Sequence, residues 1–129
     1  MKAEDLMIGD VVMLPHGADK VRDIVFVEGK GMCASFAASA TLFPVEVEKL
    51  EPLTITEDVL EQIGFTKAGQ EEGAHILVGE NAGVSYGIMY NIESKVLRLN
   101  GGLIPEPICN VHQLQHALHL CNIQYTIAL

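Results

Sequence analysis

The sequence predicts an α+β protein, with a small N-terminal β-barrel-like unit followed by an antiparallel sheet on which one helix packs. Short apolar segments separated by Gly, Pro and Asn fill residues 1–52, which is typical of short strands joined by tight turns. A second run of such segments follows at 65–99, ahead of a stretch with helical periodicity near 111–121. We therefore divide the chain into a β-rich unit, 1–52, and an α+β unit, 53–129.

Strands are predicted in the N-terminal unit at Val11–Leu14, Val21–Val27 and Val45–Leu50, which the turn segments PHGAD and EGKG separate. At the start of the last of these, Val and Glu alternate, as they do in a strand with one buried and one solvated face. The window Met32–Phe43 is rich in Ala and Ser and fits neither period, so strand and short helix both stay open. Five or so short strands with tight turns would form a small barrel or a curled sheet.

A short helix at 57–63 is predicted to join the two units, because Thr56 is a suitable N-cap and Gly64 a suitable C-terminal stop. The predicted strands of the second unit are Phe65–Lys67, His75–Val78, Val84–Tyr90 and Lys95–Leu99. The alternation over residues 125–129 predicts a short final strand.

The main C-terminal helix is predicted at 111–121 from its capping signals. Asn110, followed three residues later by Gln113, has the form of a capping box, and two prolines upstream exclude an earlier start. Asn122 can adopt the left-handed conformation that ends a helix.

This helix carries three of the five histidines of the chain, His112, His116 and His119. At about 100° per residue they fall within one arc, opposite to an apolar face that is predicted to be the core side. That apolar face contains Leu114, Ala117, Leu118 and Cys121. The histidines, together with Gln113 and Gln115, are therefore predicted to form an interaction face that points to solvent or to a partner.

His112 and His116 could also bind one metal ion, since side chains four residues apart lie on one helix face. His116 with His119 is the other pair, whereas His112 and His119 are about 10 Å apart along the axis. Either pair needs a further ligand, for which His75 from the sheet is one candidate and Cys109, in the turn before His112, a weaker one. Because no Glu follows His112 as a general base, no catalytic residue is predicted. No cofactor is predicted either, with a divalent metal at His112 and His116 as the alternative.

The charge balance restricts the classes of partner. Eight basic and seventeen acidic residues give a net charge of −9, which repels phosphate backbones and anionic membranes. A nucleic acid or a membrane is therefore not an expected partner. Three cysteines without framework spacing and an N-terminus unlike a signal peptide predict a cytoplasmic location. The uncharged window 31–45 is too short to span a bilayer.

Three segments, LMIGDVV, LEPLTITEDVLEQIGF and NVHQLQHALHLCNI, occur in this order along the chain. Together they resemble a group of small proteins of gut bacteria that are often associated with prophages or other mobile elements. Val111–Gln115 is the most specific part. The resemblance implies an α+β protein and carries no established activity.

The sequence as a whole contains no catalytic constellation. We therefore predict a non-enzymatic cytoplasmic protein that acts through protein contacts or self-association, as an accessory factor of a phage or mobile element. The alternative is a protein that binds a metal or small ligand at His112 and His116.

Overall fold

The structure is a computed structural model, and it describes residues 1–15, 17–37, 44–69, 71–99, 102–125 and 127. The chain divides into two compact units, Met1–Leu53 and Thr54–Ala128. Each unit contains a five-stranded antiparallel sheet, and the α-helices of the described residues belong to the second unit. The predicted α+β class is thereby confirmed.

The sheet of the first unit has the strand order β4-β3-β2-β1-β5. Its strands are β1 (Val11–Leu14), β2 (Gly17–Val27), β3 (Gly31–Phe36), β4 (Val45–Glu46) and β5 (Glu51–Pro52). The short strands β4 and β5 lie at the edges, and no pairing among the described residues closes the sheet into a barrel. The core of this unit consists of Leu6, Val12, Leu14, Val21, Ala34, Phe36, Val47 and Leu50.

The predicted strand Val45–Leu50 is wrong beyond Glu46. Residues Val47–Lys49 form a 3₁₀ turn instead, closed by a 3.0 Å hydrogen bond from the Leu50 N–H to the Val47 carbonyl. Val47 and Leu50 are both buried. Because residues three apart lie on opposite faces of a strand but on the same side of a 3₁₀ turn, the turn lets both side chains reach the core.

The window Met32–Phe43, where strand and helix were both open, begins as a strand. The described part forms β3, whose Cys33 and Ala34 are fully buried. Residues 38–43 lie outside the described residues. Strand β2 also begins earlier than predicted, at Gly17, whose φ of 127° is a conformation that favours glycine.

The second unit contains a sheet of order β10-β9-β8-β7-β6 and two helices. These elements are α1 (Glu57–Ile63), β6 (Thr66–Lys67), β7 (Ala74–Asn81), β8 (Val84–Asn91), β9 (Val96–Leu99), β10 (Gly102–Leu103) and α2 (Val111–Leu120). A two-residue turn with φ of 52° at Ala82 and 82° at Gly83 joins β7 to β8. Positive φ at both positions suits the twist of a tight hairpin.

Both helices occur where their capping signals place them. The Thr56 hydroxyl accepts a 3.4 Å hydrogen bond from the Val59 N–H, and Gly64 ends α1 with a φ of 119°. Asn122 follows α2 with a φ of 62°. Neither helix of the described chain combines the length and the apolar character needed to cross a membrane.

The described residues of the predicted final strand, 125–129, do not form a strand. Tyr125 and Ile127 belong to no strand, and residues 126, 128 and 129 lie outside the described residues.

The sheet of the second unit has a buried inner face and an exposed outer face. Inner-face residues include His75, Leu77, Ile88, Tyr90 and Leu97, which are all buried. On the outer face Val78 is 67% exposed. The residues on either side of α2 meet the inner face, since Ile108 bonds to Tyr90 and Ile123 shares a groove with Ile88. Helix α2 therefore lies along the inner face.

Candidate functional site

The face of α2 that is buried differs from the predicted one. Its buried residues are Val111, His112, Leu114, Gln115 and Leu118. His112 is 7% and Gln115 5% exposed, so the prediction that both point away from the core is wrong. The predicted core residue Cys121 is exposed, because it follows the last helical residue. Residues 111, 114, 115 and 118 form the usual i, i+3, i+4, i+7 stripe, with a polar Gln inside it.

The remaining residues of the predicted interaction face differ in their exposure. Gln113 is half-buried, and its side-chain oxygen accepts hydrogen bonds from the N–H groups of Cys109 and Asn110, at 2.9 and 3.0 Å. This side chain thus caps the helix, as the capping-box signal predicts. His116 is half-buried and His119 is exposed.

The rings of His112 and His116 lie close together, as their spacing predicts. Their centroids are 5.7 Å apart and the rings meet edge to face, at 77°. The Nδ1 atom of His112 is buried. Within the described part of the chain, no three His, Cys, Asp or Glu side chains are grouped so that they could hold a metal ion. The structure therefore brings the two histidines together but does not bring His75 to them as a third ligand.

His75 is instead a core residue on β7, only 2% exposed. Its Nδ1 lies 3.0 Å from the Gly73 carbonyl oxygen. Because a carbonyl only accepts hydrogen bonds, the Nδ1–H group of His75 is the donor in this contact. No described residue gives Nε2 a hydrogen bond.

Tyr90 is the largest fully buried side chain of the described residues, and it ties the sheet to the segment before α2. Its hydroxyl donates a hydrogen bond to the Ile108 carbonyl. Burial, with a smaller contribution from nearby Cys109, raises the pKa of Tyr90 to about 12. A hydroxyl held in this way is a structural donor at neutral pH.

An exposed apolar cluster of the first unit lies on the β2–β3 hairpin, and the sequence patterns did not predict it. Ile24 pairs with Ala34 and packs against the core of the unit. The next pair on the same face is Phe26 with Met32, and these side chains are 71% and 39% exposed. The signal in the sequence was their placement on either side of the EGKG turn, since a hairpin pairs such residues. We call Phe26 and Met32 the hairpin pair.

Comparison with known proteins adds no candidate activity to these features. No protein-family model, curated protein or solved structure matches the chain. Proposals about its function therefore rest on the residues described above.

Proposed function

We propose that this protein acts by binding another protein, without catalysis of its own, and that the hairpin pair anchors the contact. One observation carries the proposal. The face of the β2–β3 hairpin that packs on the core at Ile24 continues past the edge of the core toward the turn. Two large apolar side chains, Phe26 and Met32, stand next to each other there and remain in contact with water. Single exposed apolar residues are ordinary, but adjacent ones are typical of interaction sites.

The surroundings of the pair have the composition of an interface rim. Arg22 and Asp23 form an exposed ion pair at 3.2 Å on the same hairpin, and the turn presents Glu28 and Lys30. Protein interfaces commonly combine an apolar centre, enriched in aromatic residues and Met, with a charged and solvated rim. Burying the exposed part of a Phe side chain would contribute roughly 1–2 kcal/mol to such a contact.

The partner is a second copy of the chain or a different protein. Because the sequence resembles proteins associated with prophages, proteins of phages and mobile elements are the first candidates for a different partner. On this proposal the protein is an accessory factor of such an element.

The test compares Phe26→Ser with Leu120→Ser. Leu120 is 85% exposed at the end of α2, so its replacement removes a similar apolar surface from another element. Sedimentation velocity at several concentrations measures self-association, and crosslinked capture from the source cell measures other partners. We expect Phe26→Ser to abolish the contact and Leu120→Ser to retain it. A contact that survives Phe26→Ser, or no contact in either assay, would refute the proposal.

A further inference from the structure

The second unit contains a groove of about 320 Å³ at the hairpin end of its inner face, which no predicted site includes. Strand β8 contributes Val84 and Ile88, β9 contributes Leu99, and the segment after α2 contributes Ile123. A volume of this size is at the lower end of the range for small-molecule sites, about 300–1,000 Å³.

The groove exists because α2 ends before the sheet does. The chain leaves the helix at Cys121 and turns at Asn122, in the left-handed conformation. Both residues line the groove, so the end of the helix forms one wall and the strands form the other. The inner face beyond this point is not covered by α2.

Tyr86 occupies a defined position at the groove because its cross-strand partner is a glycine. Tyr86 pairs with Gly79, and a Cβ atom at Gly79 would lie only 2.7 Å from Cζ of the Tyr86 ring. The ring therefore lies across the β7 backbone in the space that a side chain would otherwise fill. Gly79 has no positive φ, so close approach is the feature that requires glycine there.

The lining of the groove indicates the charge of its ligand. No Asp, Glu, Lys, Arg or His side chain lines it among the described residues. A charged ligand would gain no counter-charge from this lining, and the net charge of −9 also disfavours anions. Ser85, Tyr86 and Asn122 supply the polar groups that could orient a neutral molecule.

From this chemistry, we infer that the groove binds a small, uncharged, mostly apolar molecule with hydrogen-bonding capacity. The site is built from residues of the second unit, whereas the hairpin pair belongs to the first unit. The inference does not depend on the proposed protein contact.

The test uses neutral ring compounds as probes of the full chain: indole, phenol and cyclohexanol. Backbone amide shifts of labelled protein report binding and its position. We expect at least one probe to bind saturably and to shift the amides of Tyr86, Leu99 and Ile123. Indole-3-acetate and tryptamine add a negative or a positive charge to indole, and we expect about tenfold weaker binding for each relative to indole.

Two exposed valines on the same hairpin supply matched variants. Val84 is 68% exposed and lines the groove, whereas Val78 is 67% exposed on the outer face. Val84→Asp should weaken binding of the neutral probe about tenfold or more, and Val78→Asp should leave it unchanged. Both variants add one negative charge at an equally exposed site, so the exposure and the net charge are matched.

Three results would overturn the inference. In the first, none of the neutral probes binds saturably. In the second, the charged analogues bind as tightly as indole, or Val78→Asp weakens binding as much as Val84→Asp. In the third, Val84→Asp leaves probe binding unchanged but abolishes capture of a protein, which would assign the groove to a side chain of a protein partner.

Discussion

Two tyrosines on one strand face have opposite surroundings. Tyr90 and Tyr86 both project from the inner face of β8, four residues apart. Tyr90 is fully buried, with its hydroxyl bonded to the Ile108 carbonyl, whereas Tyr86 is half-buried and lines the groove. We call the part of the inner face around Tyr90 the closed end and the part around Tyr86 the open end.

The difference follows from the length and direction of α2. The helix begins just after Ile108, at the closed end, and the residues that follow it line the groove at the open end. Ten helical residues span about 15 Å, close to the length of four strand residues, about 13 Å. One helix of this length therefore covers the face from Tyr90 to about Tyr86, and the strands continue beyond it. The closed end is a core and the open end is a candidate binding surface.

The largest expected contrast is between two leucines of β9. Leu97 pairs with Tyr90 and is fully buried, while Leu99 pairs with Ile88 and is half-buried beside the groove. We expect Leu97→Ala to lower the free energy of unfolding by about 2–5 kcal/mol, because it leaves a cavity in the core. Leu99→Ala should cost roughly 1 kcal/mol, since less surface is buried there. Denaturant titrations measure both, and equal losses would show that the open end is packed like the closed one.

Replacement of the tyrosines by Phe tests the same contrast with a single oxygen atom. Tyr90→Phe removes the donor to a buried carbonyl and should cost about 1–3 kcal/mol at neutral pH. Tyr86→Phe should change the free energy of unfolding by less than about 0.5 kcal/mol. If the two variants are equally stable, the hydroxyl of Tyr90 is not a structural donor.

The cost of Tyr90→Phe should also depend on pH. The pKa of Tyr90 is raised from 10.0 to about 12 in the folded protein, so the folded state holds this proton more tightly. The resulting stabilisation is fully present below pH 10 and is lost as the pH rises to 12; it amounts to about 2–3 kcal/mol. Unfolding of wild type and Tyr90→Phe should therefore converge between pH 10 and 12. A difference that stays constant over this range would contradict the raised pKa.

Two glycines extend the comparison to the backbone. Gly73, at the closed end, has a φ of 81°, and a Cβ there would lie 2.8 Å from Cγ of Glu93 and 2.9 Å from Oδ1 of Asn91. Gly73→Ala should therefore cost about 1–3 kcal/mol. At the open end, Gly79→Ala should push aside the far end of the half-buried Tyr86 side chain and cost less, about 1 kcal/mol. Thermal unfolding ranks the two, and a larger loss for Gly79→Ala would show that the Tyr86 ring is held rigidly.

Local signals predicted most of the fold because they act within a few residues. Thr56, Gly64 and Asn122 cap their helices as their side chains and backbone preferences require. The failures occurred where tertiary packing decides. The alternating pattern after Val45 predicted a longer strand, yet the need to bury both Val47 and Leu50 produced a 3₁₀ turn.

The sites were harder to predict because polarity is an indirect guide to burial. Gln115 lies in the buried stripe of α2, although its amide suggests a solvated position. Cys121 suggests a core position, although it follows the last helical residue. The groove depends on where α2 ends relative to β8. Sequence periodicity predicts the type of each element but not how two elements are placed against each other.

The smallest expected effect concerns metal binding by α2. His112 is buried and meets His116 edge to face, so binding one ion with both rings would require His112 to leave its packed position. We therefore expect about 100 µM zinc to raise the free energy of unfolding by less than about 1 kcal/mol. The measurement is thermal unfolding of tag-free protein with and without zinc, using His119→Ala as the control. A larger stabilisation that His112→Ala and His116→Ala abolish, but His119→Ala retains, would establish a metal site and show that the helix face can open.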